Sequence, residues 1–403
     1  MNKQKVVNLL QTEFLQDFTF SSESLKIDSK LIKKYDEYLN LYQRLVINPD
    51  IEKNLISRNE LLVSYAISKA ENSALTLLEA ERVYHDVIND SNIDFVGEKI
   101  RSGKKISKKD YEKLEFYNIA KVFHELSQNK FVLTDITPEF IQNLHKSLTK
   151  GLDIFSDQIL GFTVYRSGKW RNNNQIKVAT YAPASYKVIP VGISRLLKWL
   201  KKDFTITNIA VFHTGLYALH PFNNGNKRVC RIIEHLLFQI SGLNQKNLYS
   251  TSYYYHKQKE RYYKYLLASL DKKNLNYFTS FVLEALILSI TDVLRTSIEV
   301  QRKQFLIKLQ LEKKYLIIFK PLIKYKELQY KKIWKKVRTK LTNKTFVTYL
   351  QYGLDLQYLK KRVAGKKTFY ALNVDFQEEI QLQKWLDELN KRLDFIPDDY
   401  RQL

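Results

Sequence analysis

The chain has 403 residues, of which 44% are hydrophobic and 27% are charged, and it contains 27 Tyr and 22 Phe. Disordered chains are poor in aromatic residues, so this composition excludes a largely disordered protein. The single cysteine, Cys230, excludes an internal disulfide, as expected in a reducing compartment, and no Cys/His spacing resembles a zinc site. The formal charge of +24 raises the question of an acidic partner.

Helices are predicted for most of the chain. Only 11 Gly and 7 Pro interrupt it, and apolar residues recur at three- and four-residue spacing, which favours helices over strands. The sequence contains no run of about eighteen uncharged apolar residues, so we expect a cytoplasmic protein that neither spans a membrane nor is exported. A chain of this length favours two domains with extensions.

The first helix with a clear start signal is predicted to open at Thr76. Glu79 follows at the spacing of a capping box. An apolar face then continues through Ala80, Val83, Tyr84 and Val87. Residues 61–72 just before it are predicted to form a separate helix that ends at a polar stretch beginning with Glu71.

Two further helices are predicted on either side of a short loop. The first has its apolar face at Ile209, Phe212, His213, Leu216 and Leu219. The second has its apolar face at Val229, Ile232, Ile233, Leu236, Leu237 and Ile240. The loop between them reads His220-Pro221-Phe222-Asn223-Asn224-Gly225-Asn226-Lys227-Arg228.

This loop has the features of a phosphate site. Gly225 and Asn226 stand directly before a helix, so backbone N–H groups can converge on an anion at the positive end of the helix dipole. Arg228 and Arg231 are three residues apart on that helix and project from one face, which implies more than one phosphate.

His220 is the candidate general base. The following proline disfavours helical geometry at His220, which turns the chain and places the imidazole at the mouth of the loop. A neutral imidazole there can accept the proton of an incoming hydroxyl. Phe222 is interpreted as the apolar anchor of the loop. The alternative is an ordinary helix-end histidine with solvated arginines, but so dense a cluster within twelve residues favours a phosphate site.

The loop, with Arg231 three residues beyond it, resembles the signature of the Fic (Fic/Doc) family. Three other segments resemble the same family in the same order. Residues 67–76 look like its inhibitory helix, residues 165–183 look like the flap hairpin that positions target proteins, and residues 248–263 are similar to the helices that close the nucleotide pocket. The resemblance covers roughly residues 55–290.

The resemblance implies a mainly all-α fold, with a Fic-type helical bundle and a small β-hairpin flap, and transfer of AMP from ATP to a protein hydroxyl. His220 would be the base, and Glu71 would be the inhibitory residue, which reaches Arg231 and displaces the γ-phosphate. The nucleotide-binding residues it implies are Phe222, Asn224, Gly225, Asn226, Arg228, Arg231 and Tyr263. The flap residues that position the target would be Lys169, Trp170 and Arg171.

Two positions depart from the family pattern. Asn224 stands where an Asp or Glu usually holds magnesium, and a neutral amide is a weaker ligand for Mg²⁺, the expected cofactor beside ATP. Lys227 makes the loop similar to that of the Doc branch, which phosphorylates its target, whereas Gly225 argues against that branch. AMP transfer remains the first prediction, and phosphotransfer and removal of AMP from a modified protein remain alternatives.

The C-terminal part of the chain concentrates the positive charge. Residues 301–370 hold 20 Lys/Arg and 3 Asp/Glu, a net charge of +17. Residues 345–372 are interpreted as a helix, a second short helix near Leu356–Leu359 and a hairpin with Gly365 at its tip, which resembles a winged helix-turn-helix. A DNA-binding module and a protein-docking module are equally compatible with it.

The predicted division of the chain has four parts. Residues 1–55 form a helical extension and residues 56–295 a Fic domain, with the inhibitory helix at about 61–72, the flap at about 163–182 and the signature at 220–231. Residues 296–375 form the basic winged-helix-like domain, and residues 376–403 an acidic helix and tail. The expected partners are a target protein with a hydroxyl side chain, the chain itself as a target, DNA, and a second copy in a homodimer. A catalytically weak, nucleotide-sensing DNA-binding regulator is the alternative function.

Overall fold

The computed structural model describes residues 18–46, 49–89, 94, 96–157, 159 and 161–400, so the first 17 residues of the predicted N-terminal extension lie outside the described residues. The described chain is mainly helical, which confirms the predicted fold class. It divides into two compact units, residues 1–289 and residues 290–403. The four-part division drawn from the sequence stays a prediction.

The first unit is built of helices that vary widely in length. They are α1 (Ser29–Val46), α2 (Pro49–Ala70), α3 (Leu77–Ile88), α4 (Gly97–Arg101), α5 (Lys108–Ser127), α6 (Pro138–Leu148), α7 (Ile189–Lys202), α8 (Ile206–Leu219), α9 (Asn226–Ile240), α10 (Thr251–Lys257), α11 (Lys259–Asp271) and α12 (Asn276–Lys308), whose last turns belong to the second unit.

Helices α8 and α9 form the centre of the first unit, as their predicted apolar faces require. In α8 nearly every side chain is buried, and α9 is buried on all but a few positions. The two helices pack on each other, and α2, α5 and α6 pack against α9. The loop between α8 and α9 is therefore held by helices that are themselves fixed in the core.

Helix α3 begins where the sequence predicts it. Thr76 accepts a hydrogen bond from the Glu79 amide, and the Glu79 carboxylate accepts one from the Thr76 amide, which completes the capping box. Its buried residues are Ala80, Val83, Tyr84 and Val87. The helix before it, α2, ends at Ala70 as expected but begins at Pro49, so the predicted start at residue 61 is wrong.

The flap departs from prediction because residues 163–182, all of them described, form no β-strand. One antiparallel bridge pairs Val178 with Tyr181. The reason lies in the asparagines before it, since Asn173 Oδ1 accepts the Gln175 amide and Asn174 Oδ1 accepts the Tyr186 amide. Side chains that satisfy backbone donors in this way compete with strand pairing.

The second unit combines helices with a small antiparallel sheet of strand order β1-β3-β2. Its elements after α12 are α13 (Lys313–Phe319), β1 (Leu328–Gln329), α14 (Tyr330–Val337), α15 (Asn343–Asp355), β2 (Leu359–Ala364), β3 (Lys367–Leu372) and α16 (Gln377–Asn390). Strands β2 and β3 form a hairpin in the register Leu359 to Leu372, with Gly365 at its tip at φ +58°.

The predicted short helix near Leu356–Leu359 is wrong. Helix α15 ends with the Tyr358 amide donating to the Gly353 carbonyl and the Gln357 amide donating to the Leu354 carbonyl, with Gln357 at φ +57°. This left-handed helix ending turns the chain directly into β2. The assignment of the unit to the winged-helix class stays an interpretation.

Helix α12 is, among the described residues, long and apolar enough to cross a bilayer by length and composition alone. However, 83% of its most apolar window is buried inside the protein. Such burial is typical of the core helix of a globular protein.

Candidate active site

The loop between α8 and α9 is shaped by two left-handed residues. His220 ends α8 at φ +47° and ψ +62°, and Gly225 precedes α9 at φ +80°. For a non-glycine residue this conformation costs on the order of 1–2 kcal/mol, so the surroundings must hold His220 in place. Asn226 closes the loop, because its Nδ2 donates to the Phe222 carbonyl at 2.8 Å and its Oδ1 accepts the Phe222 amide at 2.9 Å.

Phe222 anchors the loop against His145, a residue that the sequence reasoning missed. The two rings stack with centroids 3.8 Å apart, and both side chains are fully buried. His145 Nδ1 accepts the Gly168 amide at 2.9 Å, so its Nε2 must carry the proton and donate to the Asn224 carbonyl at 3.0 Å. Burial lowers the pKa of His145 to about 4, which keeps this neutral tautomer. A lone histidine on α6 gives no sequence signal for this contact.

The imidazole of His220 lies in the wall of a cavity of about 790 Å³. Its Nδ1 is buried and has no hydrogen-bond partner in the described part of the chain. Burial, and then the charge of Arg171, lower the pKa of His220 to about 4. The ring is therefore neutral at pH 7, which is the protonation state that a general base needs.

The cavity is rich in basic and amide side chains. It is lined by Glu71, Asn72, Thr163, Val164, Asn173, Gln175, Ile176, Lys177, Val178, Ala179, Tyr217, His220, Asn223, Asn224, Gly225, Asn226, Lys227, Lys259, Tyr263 and Leu267. Its charged side chains are three lysines, Lys177, Lys227 and Lys259, and one carboxylate, that of Glu71. The N-terminus of α9 opens into the same space. Both features favour an anionic ligand.

Arg228 and Arg231 do not line this cavity in this structure, and their role as phosphate ligands stays a prediction. Arg228 is fully buried, with its Nη1 3.3 Å from Glu115 Oε1 and its Nη2 donating to the Tyr165 hydroxyl at 2.9 Å. Arg231 donates to the Ala66 carbonyl and its guanidinium lies 4.6 Å from the centroid of the Tyr262 ring. The helix face they share points into the bundle, where Arg228 Nε and Arg231 Nε are buried without a hydrogen-bond partner among the described residues.

Glu115 on α5 is a second residue that sequence reasoning missed. Its carboxylate is buried beside Arg228, and it also accepts a hydrogen bond from the Tyr111 hydroxyl at 3.1 Å. Burial raises the pKa of Glu115 to about 7 even though Arg228 opposes the shift. No spacing in the sequence connects α5 with the loop, because the contact arises only when the helices pack.

Glu71, at the end of α2, points into the cavity wall but contacts different partners from the predicted one. Its Oε2 lies 3.5 Å from Lys227 Nζ and its Oε1 lies 3.8 Å from Arg228 Nε. No ion pair joins it to Arg231 in the described part of the chain, because the Arg231 guanidinium lies against Tyr262. Burial by itself would raise the pKa of Glu71, but the charges of Lys227, Arg228 and Arg231 outweigh it and lower the pKa.

Lys227 and Tyr263 hold the end of α2. Lys227 Nζ and the Tyr263 hydroxyl each donate to the Ala70 carbonyl at 3.3 Å. Lys259 Nζ donates to Asn72 Oδ1 at 2.8 Å. Tyr263 thus lies in the wall of the cavity. Lys227 is the basic group nearest to the Glu71 carboxylate.

The residues present do not form a protein-held magnesium site. Asn224 Oδ1 accepts the Gly225 amide at 2.8 Å, so the expected metal ligand is a neutral oxygen already engaged within the loop. Among the described residues no group of three or more His, Cys, Asp or Glu side chains is placed to hold a metal. A hard divalent cation prefers several oxygen ligands with carboxylates among them. Magnesium would enter this site as part of its nucleotide complex.

The three residues predicted to position a target protein do not line the cavity. Lys169 is exposed. The Trp170 ring packs on Phe222 with centroids 4.9 Å apart. Arg171 is buried and bonds to the turn at His220. From the flap segment, the residues that do line the cavity are Thr163, Val164, Asn173, Gln175, Ile176, Lys177, Val178 and Ala179.

Sequence comparison finds a match over the part of the chain that contains the loop of this site. Residues 135–238 match the model of the Fic/DOC family. A protein of Aquifex aeolicus described as a probable protein adenylyltransferase is 24% identical over 135 residues, which are 32% of this chain and 39% of that protein's length. The chain therefore matches only about two fifths of this relative.

Two solved structures also align with this chain. A Fic family protein from Desulfovibrio desulfuricans is 17% identical, with a TM-score of 0.49, and the alignment covers 86% of this chain and 96% of that one. Fic-1 from C. elegans is 17% identical, with a TM-score of 0.47, and the alignment covers 66% of this chain and 72% of that one.

Proposed function

We propose that this chain is a member of the Fic/DOC family, whose model matches its residues 135–238, and that it transfers AMP from ATP to a hydroxyl side chain of a protein. The observation that carries the proposal is His220, neutral and buried in the wall of a basic cavity at the N-terminus of α9. The name of the Aquifex relative, a probable protein adenylyltransferase, supports the same reaction.

In the proposed reaction the hydroxyl oxygen of the target attacks the α-phosphorus of ATP. A bond forms between these two atoms, the bond from the α-phosphorus to its bridging oxygen breaks, and pyrophosphate leaves with the electron pair. His220 takes the hydroxyl proton. Lys227 and the amides at the start of α9 balance the negative charge of the phosphates.

We further propose that Glu71 restrains this reaction. Its carboxylate sits in the cavity wall against Lys227 and Arg228, the cations that a bound triphosphate needs. A carboxylate and a phosphate compete for the same cationic donors, so the nucleotide reaches its productive position only when Glu71 moves aside. The resemblance implies a restraint in which Glu71 contacts Arg231, whereas here Glu71 contacts Lys227 and Arg228.

Incubation with α-labelled ATP and a cell lysate tests the proposal. We expect the Glu71→Gly variant to label protein at least about tenfold faster than the unaltered chain, because removal of the carboxylate frees the phosphate-binding cations. The His220→Ala change in the same background should abolish labelling. If neither the unaltered chain nor Glu71→Gly transfers label, the proposal is wrong.

Phosphotransfer is the alternative within the family, and Lys227 is its motivation. A lysine in this position can hold the terminal phosphates of a nucleotide bound in the opposite orientation. In that case γ-labelled ATP would label protein while α-labelled ATP would not. Removal of AMP is the other alternative, because Glu71 stands near the phosphate position, and it would be seen as loss of label from an adenylylated protein.

A second candidate function is a DNA-binding regulator that senses nucleotide. The observation that favours it is the surface of the second unit, where α14 and the β2–β3 hairpin carry many exposed basic residues. They are Lys331, Lys332, Lys335, Lys336, Lys361, Lys366 and Lys367. The outer face of α15 adds exposed polar residues, among them Asn343, Thr348 and Gln351. A basic surface beside a polar helix suits a phosphate backbone and base edges.

Salt dependence tests this second candidate. Affinity for a DNA duplex should fall steeply as salt rises, and it should change when nucleotide fills the cavity of the first unit. Charge removal at Lys332 and Lys336 should reduce the slope by about one unit per lysine. Retention that is insensitive to salt, or no retention at low salt, would leave this unit as a protein-docking module.

A further inference from the structure

Arg171 binds the turn that carries His220 with one side of its guanidinium and with its backbone amide. Its Nε donates to the His220 carbonyl at 2.8 Å, and its Nη2 donates to the Leu219 carbonyl at 3.4 Å. Its backbone amide donates to the Pro221 carbonyl at 2.8 Å. One residue therefore holds three consecutive carbonyls across the end of α8.

The other side of the same guanidinium fixes the chain that faces this turn. Its Nη1 donates to the Asn173 carbonyl at 2.6 Å, and its Nη2 also donates to the Ala184 carbonyl. Asn173 lines the cavity. Arg171 therefore joins the turn at His220 to the opposite wall of the cavity.

The chemistry of this arrangement is unusual for a buried arginine. Arg171 is only 2% exposed, and in the described part of the chain its guanidinium donates to carbonyl and side-chain amide oxygens, with no carboxylate among its partners. Burial of a charge without a counter-charge is unfavourable unless every donor is satisfied. Here the last carbonyls of α8 supply the negative end of a helix dipole, which suits a cation.

We propose that Arg171 is a positioning residue for His220: it holds the left-handed turn after α8, so that the imidazole stays in the cavity wall where the reaction takes place. The proposal rests on the proposed function for the identity of the reaction, but the geometry of the turn stands without it. Arg171 does not line the cavity, so in this proposal it acts only through His220.

Arg171 also affects the charge state of His220. The charged groups that act on the imidazole are Arg171, Glu71 and Lys227, and the ring of Tyr217, whose pKa burial raises well above its usual value, packs edge-on against it. After burial, Arg171 is the largest cause of the low pKa of His220, and Glu71 opposes it. The guanidinium therefore contributes an electrostatic effect in addition to its hydrogen bonds, and the two can be separated by substitution.

Arg171→Lys keeps the charge, but its single nitrogen cannot reach the separate carbonyls that the three guanidinium nitrogens bind, whereas Arg171→Gln loses the charge as well. Arg82→Gln, at an exposed position on α3, is the matched control. We would follow the ¹⁵N and ¹H signals of the His220 ring with pH in the nucleotide-free protein, using His220→Ala to assign them. We expect a pKa near 4 in the unaltered chain, in Arg82→Gln and in Arg171→Lys, and a higher value in Arg171→Gln that the remaining burial keeps below 6.5.

We would also measure the rate of AMP transfer in a single turnover in the Glu71→Gly background. Together with nucleotide affinity, this rate separates an effect on the position of His220 from an effect on nucleotide binding. We expect both Arg171 variants to lose on the order of a hundredfold in rate, because a small misplacement of a reacting group has that effect. Affinity for a non-hydrolysable ATP analogue should change by less than about threefold, since Arg171 does not line the cavity.

Two results would overturn the proposal. One is an Arg171→Lys variant that folds and transfers AMP at the rate of the Arg82→Gln control. The other is a His220 ring that titrates identically in Arg171→Gln and in the unaltered chain. The titration of His220 needs no catalysis, so it tests the role of Arg171 even if the chain transfers no AMP. Should Arg171→Gln fail to fold, Arg171→Lys alone decides the outcome through the transfer rate and the thermal midpoint.

Discussion

Gly225 is the residue of the signature loop that tolerates change least. Its φ of +80° is strained for any side chain, and a Cβ there would lie 3.3 Å from His145 Nε2. We predict that Gly225→Ala lowers the free energy of unfolding by about 1–2 kcal/mol, because it adds the left-handed penalty of an L-residue. It should also weaken nucleotide binding through the displaced loop.

Chemical denaturation of the variant measures this effect. Gly103→Ala is a useful control, because Gly103 has φ +66° with nothing near its Cβ position, so it reports the backbone penalty alone. A Gly225→Ala protein as stable as the unaltered chain, with the same nucleotide affinity, would contradict the packing of His145 against this loop.

A substitution at Asn224 tests how far the amide at the expected magnesium position lowers the rate of AMP transfer. Its amide oxygen is held by the Gly225 amide and carries no charge. We predict that Asn224→Asp raises the rate of AMP transfer roughly tenfold at low magnesium, because a carboxylate binds Mg²⁺ more strongly than an amide. Asn172→Asp, exposed in the flap segment, is the matched control for the added charge.

The outcome discriminates between the two candidate functions. A gain in rate that grows as magnesium is lowered supports an enzyme with a weakened metal position. The same rate in Asn224→Asp and in Asn172→Asp would favour the nucleotide-sensing regulator instead.

For single residues, the sequence predicted which side chains shape the loop better than it predicted which residues they contact. His220, Phe222 and Asn226 follow from the loop alone, because proline, aromatic and amide residues have defined roles in such turns. The partners of the loop do not follow, since His145 is 79 positions from Asn224 and Glu115 lies on another helix. Arg228 and Arg231 were expected to face phosphate, but a shared helix face does not reveal which neighbouring helix covers it.

The end of α2 is the element on which the proposed restraint depends. Lys227 holds it through Glu71 and the Ala70 carbonyl, and Tyr263 and Lys259 add one hydrogen bond each. We predict that Lys227→Met speeds hydrogen exchange at residues 68–72 at least about tenfold, because local opening then breaks fewer contacts.

Exchange measured by mass spectrometry on peptides of α2 would detect this change. Lys201→Met, at an exposed position near the end of α7, serves as control. Unchanged exchange at the end of α2 would mean that Lys227 does not hold the helix and that Glu71 is restrained by other groups.

Elements with strong local signals were predictable, and those set by side-chain competition were not. Helix α3 has a capping box and α8 and α9 have clear apolar faces, so each was predicted with its buried residues. The flap was expected to form a hairpin but makes one bridge, because Asn173 and Asn174 satisfy nearby amides. The turn after α15 likewise replaces a predicted helix.

At the scale of the whole molecule, buried histidines predict a dependence of stability on pH. Burial lowers the pKa values of His145, His220 and His235 to about 4 each, whereas an unfolded histidine titrates near 6.5. Below pH 6.5 the unfolded chain therefore binds protons that the folded chain does not, so their contribution to stability is lost as pH falls toward 4. Glu115 acts in the opposite direction, because its raised pKa of about 7 lets the folded chain hold a proton that the unfolded chain releases.

Among these four groups the balance is three protons against one, and the pKa shifts of His256, which is lowered, and Asp36, which is raised, act in opposite directions. We predict that the free energy of unfolding falls by roughly 2 kcal/mol per pH unit between pH 6.5 and 5. Urea denaturation at several pH values measures the slope, and His235→Gln should reduce it by about one proton, or roughly 1.4 kcal/mol per pH unit. Stability that stays constant or rises as pH falls to 5 would contradict the burial of these histidines as neutral groups.

The mass of the group that the chain adds to protein tests its proposed function most directly. After incubation of the Glu71→Gly variant with ATP and a lysate, mass analysis of the modified proteins distinguishes an added AMP from an added phosphate. We predict added AMP on Ser, Thr or Tyr, with no addition when His220→Ala is introduced in the same background. Added phosphate, or an addition that survives His220→Ala, would contradict AMP transfer with His220 as the base.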